Sequence, residues 1–277
     1  MPRFWGLPLT GALALGLILA PQQAQTALSS DPQWQLGKSH LGEGQAEEAK
    51  RVFESLLGKY SREPDLYLFL GIAELRLRNP QAAEFQIGKA LDLAPEHVEA
   101  RTLLGWVELE IHKDYDAAIA QYTRVTQLRP EFPEAHNNLG VAWQKKGDWE
   151  KALQAFNMAL DLRPDYVEAL SNRGWVYLRQ KNWLRARDDF EKGIRGNPQH
   201  EGCLYGLSQV FRETRNYPGA QEALAKLTAQ SSNFVYWLER GEIQLLRFYW
   251  VLVLLAVGLF LRAQYRKKKL RRIRDGS

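Results

Sequence analysis

Glycine recurs in this sequence at positions 37, 71, 105, 140 and 174, at intervals of 34, 34, 35 and 34 residues. The next position in that register is Ser208. A second row of small residues lies twelve or thirteen positions further on: Ala49, Ala83, Ala118, Ala152, Ala186 and Ala220. A bulkier row follows four later: Phe53, Ile87, Tyr122, Phe156, Phe190 and Leu224. Prolines close several units, at Pro95, Pro130, Pro164 and Pro198. A period of this length admits few architectures. Each unit is too short to bury a core alone, so successive units must stack and share one.

Each unit reads as two helices. The first carries a Leu-Gly pair, as in Leu70-Gly71, Leu104-Gly105 and Leu139-Gly140. The second carries the alanine and the bulky residue one helical turn apart, on one face. Glycine and alanine let the two helices approach closely, and large side chains such as Phe156, Trp143 and Tyr177 fill the space beside them. "KKGDW" at 145–149 and "QKNWL" at 180–184 mark the turn between helices. Proline ends the second helix, because it lacks a donor N–H and disfavours helix in the residue before it. The one extra residue of the 35-residue interval is placed at Tyr115 or its neighbour.

The period, with Gly140, Ala152, Phe156, Ala159 and Pro164 in register, resembles the tetratricopeptide repeat. The match is most specific over 98–198, good over 64–96, and weaker over 30–63 and 201–234, where terminal repeats must cap a stack. The resemblance implies an all-α fold: a right-handed α-solenoid of about six helix pairs with a concave binding face and no catalytic activity. The repeats run at about 30–63, 64–97, 98–132, 133–166, 167–200 and 201–234, inside a domain spanning 28–240.

In this family the concave face is lined mainly by the first helix of each repeat. Three rows should point there. They read Trp34, Leu68, Thr102, Asn137, Ser171, Tyr205; then Lys38, Ile72, Trp106, Val141, Trp175, Gln209; then Leu41, Leu75, Leu109, Gln144, Leu178, Arg212. The expected partner-binding groove therefore comprises Trp34, Ile72, Trp106, Asn137, Asn138, Val141, Asn172, Trp175 and Tyr205, with Trp106 and Trp175 as anchors. The bland alternative is that these side chains pack between neighbouring repeats. Some relatives clamp acidic peptide tails with lysines on these helices; here those lysines are missing. Acids recur instead at Asp31, Asp65, Glu99, Glu134 and Glu168, where they suit the positive end of each first helix.

Both ends of the chain are apolar. Arg3 precedes an uncharged run from Phe4 to Ala20, followed by a Pro/Gln/Ser-rich segment. That is the layout of a secretory signal, and residues 1–27 are read as a signal peptide or a retained signal anchor. Residues 248–261 are fourteen uncharged, almost wholly apolar positions. Extended back to Ile243 they make an expected transmembrane helix over 243–262, with Arg247 at the headgroups. The tail at 263–277 is expected to be cytoplasmic. The stretch 262–277 holds eight Lys/Arg and one acid, so it accounts for the +5 net charge of a chain whose stretch 21–240 nets −3. The repeats then lie on the extracytoplasmic side, at a bacterial inner or plasma membrane by default. Lipid is contacted through the apolar helix and the basic tail.

That charge distribution excludes a basic nucleic-acid groove. His40, His97, His112, His136 and His200 are scattered, with no ligand spacing. Asp188-Asp189 in "RARDDFEK" reads as a solvated helix face, and Cys203 as a buried inert thiol. No catalytic set, metal site or cofactor is expected. The function expected is a membrane-anchored interaction scaffold or assembly adaptor that takes a protein or peptide partner. A cell-wall or carbohydrate-binding module, stacking sugars on groove tryptophans, is the alternative.

Overall fold

The structure, a computed structural model, describes residues 27–275, less the side chains at 247, 250, 252 and 267–275. Of the expected signal segment at 1–27, residues 1–26 lie outside the described residues, as do the last two residues of the chain. Two compact units are present, the first ending at Pro164 and the second beginning at Asp165.

The first unit holds four helix pairs. They are α1 (Pro32–Gly42) with α2 (Ala46–Tyr60), α3 (Pro64–Arg76) with α4 (Pro80–Leu93), α5 (Val98–Val107) with α6 (Tyr115–Leu128), and α7 (Pro133–Lys146) with α8 (Trp149–Leu162). The second unit holds α9 (Val167–Arg179) with α10 (Trp183–Gly196), α11 (Glu201–Glu213) with α12 (Tyr217–Gln230), and a long α13 (Phe234–Asp275). No strand occurs among the described residues.

The turns explain the repeated motif. Lys113, Gly147, Lys181 and Arg215 adopt positive φ, and the residue after each caps the second helix with its side chain. Asp148, for example, accepts from the Lys151 amide at 3.1 Å, and that bond holds its carboxyl below the usual range. At the far end of the second helix in repeats two to five the residue before proline, such as Arg129 or Arg163, leaves the helical conformation.

Packing follows the glycine and bulky rows. A Cβ built at Gly140 would sit 2.6 Å from the ring of Phe156, and one at Gly174 would sit 2.7 Å from Phe190. These contacts let the helix backbones meet over a fully buried aromatic ring. Repeat six breaks the rule in a compensated way: its bulky residue is Leu224, and the first helix carries Ser208, 1% exposed, with Oγ bonded to the Tyr205 carbonyl at 2.7 Å.

The extra residue of repeat three lies elsewhere than Tyr115. It is taken up at the end of the first helix, where Glu108–His112 forms a π-helical turn and the Asp114 amide reaches back to the Glu108 carbonyl. A single insertion is commonly absorbed this way without breaking the helix.

The last helix is also larger than expected. Its first turns are a packing element of the second unit, with Tyr236 and Ile243 buried against Leu204, Ala220, Leu224 and Leu227. Ile243 thus belongs to the repeat core, not to the apolar segment that follows. Among the described residues no helix is long and apolar enough to cross a membrane.

Candidate partner-binding face

The first helices bring the three expected rows to one side of each pair, but they do not leave all of them open. In the first unit Trp34 is 5% exposed and enclosed by Phe53 and Phe69, at ring distances of 5.3 and 4.7 Å. Ile72 is fully buried and Asn137 is 6% exposed. Trp34 and Ile72 belong to one core cluster with Phe53 and Ile87, where packing takes precedence over binding, and Asn137 is buried as well. Trp106 and Val141 are half-buried, each with one side against a core cluster, and Asn138 is half-buried beside them in sequence.

In the second unit the same rows form an aromatic ladder. Trp175 lies 5.7 Å from Phe190, edge to face, and 5.7 Å from Tyr205. Tyr205 in turn lies 5.2 Å from Tyr236 of α13. Offset and edge contacts of this kind add to the burial they accompany. Trp175 and Asn172 remain half-buried.

Repeat six is closed by α13. Tyr205 donates its hydroxyl to Glu239 at 2.7 Å, Gln209 donates to the same carboxylate at 2.8 Å, and Arg212 donates to Glu242 at 2.9 Å. All three members of the expected rows in this repeat are therefore engaged. Tyr236 answers from α13 with a 2.7 Å bond to Glu201. Burial, and then these carboxylates, push the pKa of both tyrosines up. Tyr205 is thus an internal strut.

The acids at the start of the first helices do more than complement the helix ends. Asp31 bonds Lys59 at 3.0 Å and Glu99 bonds Arg129 at 2.8 Å, each closing its own repeat; Glu134 does the same with Arg163. The basic partner stands at the far end of the second helix, a long-range pairing that no local motif signals.

Asp189 departs from the solvated face expected of it. It is 3% exposed and takes a bidentate pair of bonds from Arg173, at 2.7 and 2.8 Å, while Asp188 stays exposed. Cys203 is fully buried, and burial pushes its thiol up to about 12, which fits an inert residue. No group of three His, Cys, Asp or Glu side chains that could hold a metal occurs among the described residues.

Two histidines are helix caps. His97 Nδ1 accepts from the Ala100 amide at 3.3 Å while Nε2 meets Asp65 at 2.9 Å; His200 Nδ1 accepts from the Cys203 amide at 3.2 Å. Accepting at Nδ1 requires a neutral ring. Burial lowers the pKa of His200, against the opposing pull of Glu168 and Glu201. A depressed folded-state pKa gives a contribution that is complete above the unfolded value of about 6.5 and is lost as pH falls through the folded value. The melting temperature should therefore fall as pH is lowered from about 7 to about 5. His200→Asn, which keeps a cap without a titrating ring, should fall less; equal slopes would contradict the assignment.

The profile of the tetratricopeptide repeat matches residues 35–97, 104–167 and 144–201, more than half of the chain. The chain belongs to the tetratricopeptide repeat family. Repeat six lies beyond that match, and it is the one in which Ser208 and Leu224 replace the glycine–aromatic pair. Solved structures share the fold. PilF of Pseudomonas aeruginosa is 19% identical, with a TM-score of 0.66 over 74% of this chain and 93% of that one. PilW, a widely conserved type IV pilus biogenesis factor, is 18% identical, with a TM-score of 0.67 over 76% and 96%. MamA of Desulfovibrio magneticus RS-1 is 26% identical, with a TM-score of 0.54 over 61% and 94%. No curated protein matches the chain.

Proposed function

We propose that this protein is a membrane-anchored interaction scaffold whose tetratricopeptide repeats hold a protein or peptide partner on the extracytoplasmic side. The observation that carries the reading is the half-buried surface of the first helices: Trp106, Asn138 and Val141 in the first unit, Asn172 and Trp175 in the second. Each tryptophan is fixed by packing on one side and accessible on the other, the condition for an interface anchor. The sugar-binding alternative loses Trp34, which is walled in by Phe53 and Phe69, and would depend on Trp106 and Trp175 alone. The fold-level likeness to PilW does not carry pilus assembly over to this chain.

The anchor is supported by the exposed leucines of α13 and by the cations that follow them. Leu254, Leu255, Leu259 and Leu261 are each about 60–70% exposed. With Ile243 committed to repeat six, the bilayer segment starts later than 243. The uncharged run 248–261 covers ~21 Å of helix, so the anchor proposed here relies on its charged flanks lying at the headgroups. The basic tail then stays inside.

Crosslinking from positions 106 and 175 in intact membranes should trap a discrete protein, and Trp106→Ala/Trp175→Ala should lose it. Undiminished capture by the double variant would sink the binding face. Retention on cell-wall polymer with no protein trapped would favour the sugar reading. A reporter fused at residue 130 and found in the cytoplasm would sink the topology.

A further inference from the structure

The contacts of α13 give it a direction. Tyr236 bonds Glu201, Glu239 takes bonds from Tyr205 and Gln209, and Glu242 takes one from Arg212. The partners advance along α11 as the bonds advance along α13, so the two helices run parallel. α13 therefore continues past the C-terminal end of α11. Other contacts bring three more helix ends to that edge of the second unit. A Cβ at Gly202 would meet Ser171 Oγ at 2.7 Å, and Trp175 lies against Tyr205, so α9 runs parallel to α11 and ends beside it. Arg187, in the second turn of α10, stands 5.5 Å from the Phe211 ring, and a Cβ at Gly219, in the first turn of α12, would meet that ring at 3.0 Å. The turns at 180–182 and 214–216 thus stand at the edge toward which α13 runs.

That edge is basic. Residues 178–188 and 212–221 carry six Lys/Arg against two acids, Asp188 and Glu213. Arg187 is held by Glu191 and Arg212 by Glu242, while Arg179, Lys181, Arg185 and Arg215 are exposed. The opposite edge has the other sign: 165–168 and 195–202 carry Arg195 against Asp165, Glu168 and Glu201. Helix dipoles do not account for the basic edge, because α10 and α12 begin there and neither has an acid in its first turn, where one would be favoured. Leu184, between Lys181 and Arg185, is 80% exposed, more than any other large apolar side chain among the described residues.

The edge is also level with the start of the bilayer. Glu242 and Gln244 of α13 meet Arg212 and Gln221 of repeat six, and the uncharged run begins at residue 248. Four residues of helix are ~6 Å, about the depth of one headgroup layer. An apolar run of only ~21 Å draws that layer closer still. We propose that this edge of the second unit rests on the bilayer, with Arg179, Lys181, Arg185 and Arg215 on anionic lipid headgroups and Leu184 entering the layer among them. The proposal rests on the anchor reading, which sets where the bilayer begins. A lipid surface fits better than an acidic protein because α13 fixes the distance, and because an apolar side chain ringed by cations suits the headgroup boundary.

The test uses the full chain inserted in vesicles, with native Cys203 kept because it is fully buried. A nitrobenzoxadiazole probe is attached at Leu184→Cys or, at the opposite edge, at exposed Ser232→Cys. In phosphatidylcholine–phosphatidylglycerol vesicles, a lipid with a nitroxide on its headgroup should quench the probe at 184 and leave the probe at 232 bright. Quenching at 184 should be largely lost in phosphatidylcholine alone, and lost equally when Lys181→Glu/Arg215→Glu is added to a chain whose melting is unchanged. An unquenched probe at 184 in a chain that resists carbonate extraction would overturn the contact and leave the anchor standing. Equal quenching at both positions, or quenching at 184 that persists without phosphatidylglycerol, would overturn it too. Shielding of 184 from iodide in native membranes, with no quenching by lipid in vesicles, would assign the edge to an acidic protein and also overturn it. Release by carbonate would refute the anchor, and phosphatidylglycerol-dependent quenching at 184 in such a chain would still support the contact.

Discussion

Asp189→Ala is expected to destabilise the second unit by about 3 kcal/mol, while Asp188→Ala, one residue away, changes it by no more than about 0.5 kcal/mol. The difference comes from what each substitution leaves behind. Arg173 donates two hydrogen bonds to Asp189, from Nε and from an Nη nitrogen, in a site where Asp189 is 3% exposed. Removing the acid takes from the guanidinium the two charge-assisted bonds that neutralise it between α9 and α10. The guanidinium cannot escape by losing its proton. Because the Arg173 side chain keeps 18% of its surface in water, the cost belongs at the lower end of the range for a broken buried pair. Asp188 makes no such contact with the core and is exposed. Denaturation of the full chain in detergent, followed by far-UV circular dichroism, would separate the two. An Arg173→Met/Asp189→Leu double change should recover most of the loss, since an apolar pair of similar volume leaves no charge uncompensated. Similar costs for Asp188→Ala and Asp189→Ala would show that the pair is not the reason for the burial.

What could be read in the sequence is what repeats. Gly140 and Phe156 meet because sixteen residues separate them in every unit of normal length, and the row of prolines fixes where each second helix stops. Singular features were harder to see. The π-helical turn at Glu108–His112 and the extra residue near Tyr115 produce the same interval of 35, and periodicity alone cannot choose between them. Arg173 and Asp189 are sixteen residues apart, on different helices, and an Asp-Asp pair in a charged helix looks solvated until a guanidinium is placed over it. The binding face suffered in the same way. Trp34 and Ile72 hold equivalent register positions to residues that stay half-open, but neighbouring side chains decide which are covered, as Phe69 covers Trp34. The role of α13 was hidden for a different reason. Its apolar run suggests one environment for the whole helix, yet Tyr236 and Ile243 are buried in the repeats while Leu254, Leu255, Leu259 and Leu261 stand exposed.

Phe156→Ala should cost about 3–5 kcal/mol, as expected for emptying a fully buried aromatic site that its surroundings cannot refill. The more discriminating experiment copies repeat six into repeat four. Gly140→Ser alone adds atoms where a Cβ already lies 2.6 Å from the Phe156 ring, and overpacking of that kind costs about 1–3 kcal/mol. Phe156→Leu alone opens a cavity and costs about the same. Together they reproduce the pair that Ser208 and Leu224 already make, with the Asn137 carbonyl standing where the Tyr205 carbonyl accepts from Ser208. The double variant should therefore lose less than the sum of the singles, by on the order of 1 kcal/mol or more. Strict additivity would mean that the glycine row is held by something other than the rings it faces. The size of the coupling measures how far each unit of this chain is specified by one close contact, and why the last repeat can drop its glycine without losing the fold.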